Sequence, residues 1–98
     1  MSSTTWPDSR SVPISSERVS AVELDESTGL YDEASHALAI LNPTATAVWR
    51  RCDGEKTFDE IVEEIALEYG IGAHFVREDV EQTLRKLAEL GLVSDAMS

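Results

Sequence analysis

The stretch Leu41-Asn42-Pro43-Thr44-Ala45-Thr46-Ala47-Val48-Trp49-Arg50-Arg51-Cys52-Asp53-Gly54 is where the pattern of this 98-residue chain changes. Up to Leu41 the apolar residues alternate, as on a strand, and beyond it they recur with a period near 3.6. Asn42 has the side chain of a good N-cap, and Pro43 suits the first helical position, where a missing N–H costs nothing. Ala45, Val48, Trp49 and Cys52 then share one stripe, and Asp53-Gly54 supplies a left-handed stop. The stretch therefore predicts a short strand feeding a capped amphipathic helix.

Working outward, Val19-Ser20-Ala21-Val22-Glu23-Leu24 reads as a strand ending in the turn formers at 25–29. Leu30-Tyr31-Asp32 reads as a second strand, 33–36 as a turn, and Ala37-Leu38-Ala39-Ile40-Leu41 as a third. Three strands joined by short loops most simply form an antiparallel meander. Downstream, Thr57 and Glu60 have capping-box spacing, and Phe58, Ile61, Val62, Ile65, Ala66 and Tyr69 form the inner stripe of a second helix that Gly70 closes. A third helix begins between Ala73 and Val76, turns Val76, Val80, Leu84 and Leu87 inward, and stops at Gly91. Residues 1–16 are rich in Ser and Thr and have no apolar period, so they read as a flexible tail. Trp6 within it is either a loosely held aromatic or a residue that docks on the domain or a partner. The domain is placed at 17–94, with 95–98 frayed.

A single domain of this size buries about 60 to 70% of the surface of its unfolded chain, enough for one core and a surface groove. Acids outnumber bases nineteen to eight, a net charge of −11. Nucleic-acid binding draws on Lys and Arg neutralising phosphates, so this balance disfavours DNA and RNA, and it disfavours anionic membranes equally. One cysteine cannot form an internal disulfide, and no segment reads as a signal peptide or a membrane span. The expected localisation is cytoplasmic.

Side-chain chemistry is sparse. His36 and His74 lack a second ligand at metal spacing, so no metal is expected. Cys52 falls on an apolar stripe without a local base, which favours packing over nucleophilic catalysis. Asp59, Glu60, Glu63, Glu64 and Glu68, with no Lys or Arg among them, read as a solvated helix face that would also suit a basic partner. Gly70 and Gly72 follow a helix rather than a strand and form no nucleotide fingerprint. Backbone chemistry remains. The third strand, Ala37 to Leu41, lacks the Lys, Glu or Pro that blunts a sheet edge. Pattern alone leaves two explanations open: an incoming peptide adds there as a fourth strand, or the strand is packed from both sides.

The run Leu41 to Ala45 leading to Val48-Trp49, then Cys52-Asp53-Gly54 and Thr57, and later Asp79-Val80, Leu84, Leu87 and Gly91-Leu92-Val93, resembles the PqqD family. Its members are peptide chaperones, or precursor-peptide recognition elements, of pathways that make ribosomally synthesised and post-translationally modified peptides. The resemblance implies an α+β, winged helix-turn-helix-like fold, with three strands before three helices. It also implies a leader peptide bound as an extra strand beside the third strand, in the groove made with the third helix. Carried onto this chain, the peptide-binding candidates are Ala37, Leu38, Ala39, Ile40 and Leu41 on the strand, and Val76, Asp79, Val80, Thr83, Leu84 and Leu87 on the helix. Arg77, Arg85 and Lys86 either meet acidic leader residues or are solvent-facing side chains without a role.

The partners implied are the precursor peptide and an enzyme. That enzyme is a radical S-adenosylmethionine or other modifying enzyme, or a leader peptidase in the lasso-peptide version. No catalytic residue and no cofactor are implied. An open edge or exchanged strands would allow a homodimer. Two other classes stand against this reading. A winged-helix DNA-binding regulator would use a recognition helix at 76–90, but there Arg77, Arg85 and Lys86 face Glu78, Asp79, Glu81 and Glu89. A small enzyme would rest on Cys52 or the paired acids.

Overall fold

The computed structural model describes residues 6–96. Three strands, β2 (Val19–Leu24), β3 (Ser27–Asp32) and β4 (Leu38–Leu41), follow a short β1 (Pro13–Ser15) and form an antiparallel sheet in the order β2-β3-β4. Helices α1 (Pro43–Arg50), α2 (Phe58–Tyr69) and α3 (Ala73–Glu89) come next, and β5 (Val93–Asp95) ends the fold. This is the expected α+β, winged helix-turn-helix-like arrangement, three strands of one sheet followed by three helices.

The β2–β3 hairpin is tighter than the sequence suggests. Leu24 pairs with Ser27, so the turn is Asp25-Glu26 alone, and β3 begins three residues before Leu30. Asp25, at φ 53, takes the left-handed conformation that lets a two-residue loop follow the twist of its strands. At the β3–β4 turn the Asp32 carboxylate accepts the N–H groups of Ala34 (2.8 Å) and Ser35 (3.2 Å). Alternation then divides the sheet. Thr28, Leu30 and Asp32, with Ala39 and Leu41 opposite, face the helices. Val22, Leu24, Tyr31, Leu38 and Ile40 lie on the outer face and are exposed.

The helix signals hold locally. The Asn42 side chain accepts the Ala45 N–H at 2.7 Å, and Thr57 and Glu60 form a reciprocal capping box. Gly70 ends α2 in the left-handed region at φ 66. Inward stripes from all three helices meet Leu30, and Val48, Ile61, Ile65, Val80, Leu84, Leu87 and Leu92 are wholly buried. Tyr69 departs from the expected stripe; it is 42% exposed at the end of α2.

Helix α1 stops at Arg50, ahead of the expected Asp53-Gly54. Those residues instead lie beside β1: the Gly54 N–H donates to the Pro13 carbonyl and the Ser15 N–H to that of Cys52, both at 3.0 Å. At Gly54 the left-handed φ of 81 strains any residue with a side chain, and an added Cβ, 2.9 Å from Ile14 Cδ1, would also push that side chain aside.

The flexible tail expected through residue 16 is corrected across 6–16. Strand β1 pairs antiparallel with β5, Pro13 opposite Asp95 and Ser15 opposite Val93. The Ser11 carbonyl accepts the Phe58 N–H at 2.7 Å, and Trp6 packs against the core. A three-residue strand is too short to display a period, and its order comes from partners far along the chain. The frayed end is corrected likewise, since Asp95 lies in β5 and the Ala96 N–H donates to the Val12 carbonyl at 2.7 Å. Residues 1–5, 97 and 98 of these two expectations lie outside the described residues.

Candidate functional site

Among the described residues, strand β4 pairs with β3 on one side only. The Asp32 N–H donates to the Ala37 carbonyl at 2.9 Å, which fixes the alternation of the ladder. Ala37, Ala39 and Leu41 therefore turn their backbone groups toward β3. Leu38 and Ile40 turn theirs, two N–H and two C=O, to the open edge.

This edge overlooks a groove of about 490 Å³ between β4, the start of α1 and the C-terminal half of α3. Leu41 and Leu87 are buried at its base, and Ala39, Ala45 and Leu90 are half-buried around them. Asn42, Gln82, Thr83 and Lys86 complete the lining and keep its rim polar. Of the three helix cations in question, Lys86 alone lines the groove. Arg77 is held by Asp59 at 2.5 Å and stacks over Phe58, while Arg85 pairs with Glu81 at 2.6 Å and donates to the Trp6 carbonyl at 3.1 Å.

The structure thus brings Leu38, Ala39, Ile40, Leu41, Thr83 and Leu87 of the expected residues together. Ala37 is half-buried at the strand's entrance and outside the lining. Val76, Val80 and Leu84 are core residues that hold α3 against the domain, and Asp79 is exposed outside the lining. Sequence reasoning missed Asn42, Ala45, Gln82 and Leu90. A signal for two of them was present: Gln82, Lys86 and Leu90 recur at i, i+4, i+8, a row flanking the core stripe.

The outer face of the sheet continues from the same edge. An added Cβ on Gly29 would meet Ile40 Cδ1 at 3.5 Å and Leu24 Cδ1 at 3.8 Å, so those side chains close over the glycine. A strand added beside β4 would send alternate side chains into the groove and onto this face.

The other candidate groups have structural surroundings. Cys52 is 3% exposed, its Sγ donates to the Val48 carbonyl at 3.3 Å, and burial, with the Asp53 carboxylate adding, pushes its thiol up to about 12. A thiolate at neutral pH is thereby suppressed. The Glu55 N–H holds the Asp53 carboxyl below its ordinary range, with Lys56 contributing. His36 Nδ1 lies 2.7 Å from the Tyr31 hydroxyl, and His74 stacks against Phe75. Among the described residues no three His, Cys, Asp or Glu side chains are placed to hold a metal ion, and no helix is long and apolar enough to cross a membrane.

Comparison with known proteins bears on this geometry. The solved structure described as TbiB1 in complex with the TbiA(beta) leader peptide is 25% identical to the chain, with a TM-score of 0.73, over 83% of this chain and 94% of that one. A lasso peptide synthetase B1 complexed with the leader peptide is 19% identical, with a TM-score of 0.72, over 85% and 98%. No curated protein matches significantly. The family profile for coenzyme PQQ synthesis protein D (PqqD) matches residues 28–93, which takes in β3 from Thr28, β4, all three helices and therefore the whole groove. The chain belongs to the PqqD family.

Proposed function

We propose that this protein is a non-catalytic adaptor that binds the leader segment of a ribosomally made precursor peptide as a fourth strand beside β4 and presents it to an enzyme. The observation that carries the reading is the uncharged edge of β4, unpaired among the described residues, opening directly onto an apolar groove. Similarity at 25% identity to a chain solved with a leader peptide supports it.

The two N–H and two C=O groups of Leu38 and Ile40 give affinity without sequence preference, each bond contributing about 1 kcal/mol net. Apolar leader side chains buried against Leu41, Ala45, Leu87 and Leu90 contribute about 2 kcal/mol each. Those side chains set the register, since a slip of one residue turns every one of them out of the groove. Lys86 favours a leader with a carboxylate at the rim. The enzyme that receives the peptide is a radical S-adenosylmethionine or other modifying enzyme, or a leader peptidase; reconstitution with each distinguishes them.

Amide chemical-shift mapping with the cognate precursor tests this reading. Changes should cluster on β4 and on α3 from Gln82 to Leu90. Saturating peptide that leaves those amides unmoved refutes strand addition. The DNA-binding reading has less support, since two of the three cations of α3 are held by Asp59 and Glu81. Salt-sensitive binding to duplex DNA would revive it.

A further inference from the structure

The turn between α2 and α3 carries apolar surface that the groove does not use. Leu67 is 84% exposed, Phe75 64% and Ile71 48%. Leu67 and Ile71 flank one shallow depression of about 320 Å³ together with Glu63. The rings of His74 and Phe75, 4.0 Å apart, fold back over Gly72, where an added Cβ would meet both at 3.4 Å. Folding does not require this arrangement. The inner stripe of α2 is Phe58, Ile61, Val62, Ile65 and Ala66, and Leu67 stands outside it. Leu67 and Ile71 thus share the depression, and Phe75 stands over Gly72 at its α3 end; exposed apolar residues on one turn mark a surface made for contact.

The charge around the patch narrows what covers it. Helix α2 has no Lys or Arg. Arg51 holds Glu64 and Glu68, and Arg77 holds Asp59. Glu63, in the depression, and Glu78, one turn beyond Phe75, make no ion pair among the described residues. Two copies placed face to face would oppose these carboxylates, and an anionic bilayer would meet them too. The complementary surface has an apolar centre and a rim of Lys and Arg.

We infer that this elbow is the docking face for the enzyme that acts on the groove-bound peptide. The inference rests on the peptide-adaptor reading and adds a second, separate surface to it. The helical rise places Phe75 roughly 10–20 Å from the residues of α3 that line the groove. Both surfaces can be occupied together, and a peptide leaving the groove spans that distance in about six extended residues.

The test uses the full chain and the purified enzyme, encoded beside its gene, that cleaves or modifies the precursor. Leu67→Glu and Phe75→Glu, both at exposed positions and checked for folding by circular dichroism, should each weaken enzyme binding about tenfold. Glu63→Lys should weaken it about threefold, and added salt should reduce the difference from the parent. Leader-peptide affinity of all three variants should equal that of the parent. Failure of the parent to bind leader refutes the adaptor reading; leader binding with unchanged enzyme affinity in Leu67→Glu and Phe75→Glu overturns only the elbow. An enzyme that fails to bind the parent, a self-associated parent that Leu67→Glu dissolves, or vesicle binding lost in that variant overturns it as well.

Discussion

The three-stranded sheet has two edges built from the same backbone groups, and their surroundings differ. At the β2 edge, Glu23 pairs with Arg50 at 2.6 Å and the Ser20 hydroxyl donates to Glu33 at 3.1 Å, so ionised side chains hang beside the unpaired amides. Its inner-face residues Ala21 and Glu23 are exposed, with no apolar floor behind them. Strand β4 itself carries no charge, and Ala39 and Leu41 have the groove and α3 behind them. Unpaired N–H groups are common to both, so the difference lies in what adjoins them. A peptide on β2 would gain hydrogen bonds alone, and one on β4 gains an apolar pocket as well.

The largest expected effect that bears on this contrast is on stability. Ala39→Pro removes an N–H that faces Leu30 across the β3–β4 ladder, and it should cost about 2–3 kcal/mol in a denaturant titration. Ile40→Pro removes an N–H directed at the open edge. It should lower leader affinity tenfold or more by calorimetry while costing less than about 1 kcal/mol of stability. Ala21→Pro does the same to the β2 edge and should leave leader affinity unchanged; equal loss from both prolines would erase the distinction between the edges.

A smaller effect concerns the rim. Lys86→Glu should weaken an acidic leader about three- to tenfold, less so as ionic strength rises, whereas Arg50→Glu beside β2 should not. The smallest effect comes from stripping the β2 edge of its charges. Glu23→Val with Arg50→Leu should change stability by about 0.5 kcal/mol or less, because the pair is exposed. Sedimentation should then detect weak association through the uncovered edge. Leader binding at β2 in that double variant would mean that charge, rather than the floor, decides where a peptide adds.

How far these features can be read from sequence follows the range of the interactions. The Asn42 cap, the Thr57–Glu60 box and the Gly70 stop are local, and each stands where the residues place it. The inner stripe of α3 is legible for the same reason, through the spacing of Val76, Val80, Leu84 and Leu87. The groove is half legible. Strand β4 shows its lack of charge directly, but whether Val80 or Gln82 faces β4 depends on the rotation of α3 against the sheet, which only packing sets. Strand β1 is not legible, because Pro13-Ile14-Ser15 is ordered by Val93 to Asp95 and by the loop at Asp53. Gly54 shows how a correct signal can be put to the wrong use. Its left-handed conformation is real, but it serves the contact with β1 rather than the end of α1.

The pairing of β1 with β5 also has a consequence for synthesis. Local helices and the β2–β3–β4 meander can assemble as the chain emerges from the ribosome, because their contacts lie close in sequence. Strand β1 emerges before all of them, yet it has no sheet partner until residues 93–95 have been made. Until then only the loop at Cys52 to Gly54 can hold its backbone, through the Ser15 and Gly54 N–H groups, and the two-stranded pairing forms when strands about 80 residues apart in the sequence meet.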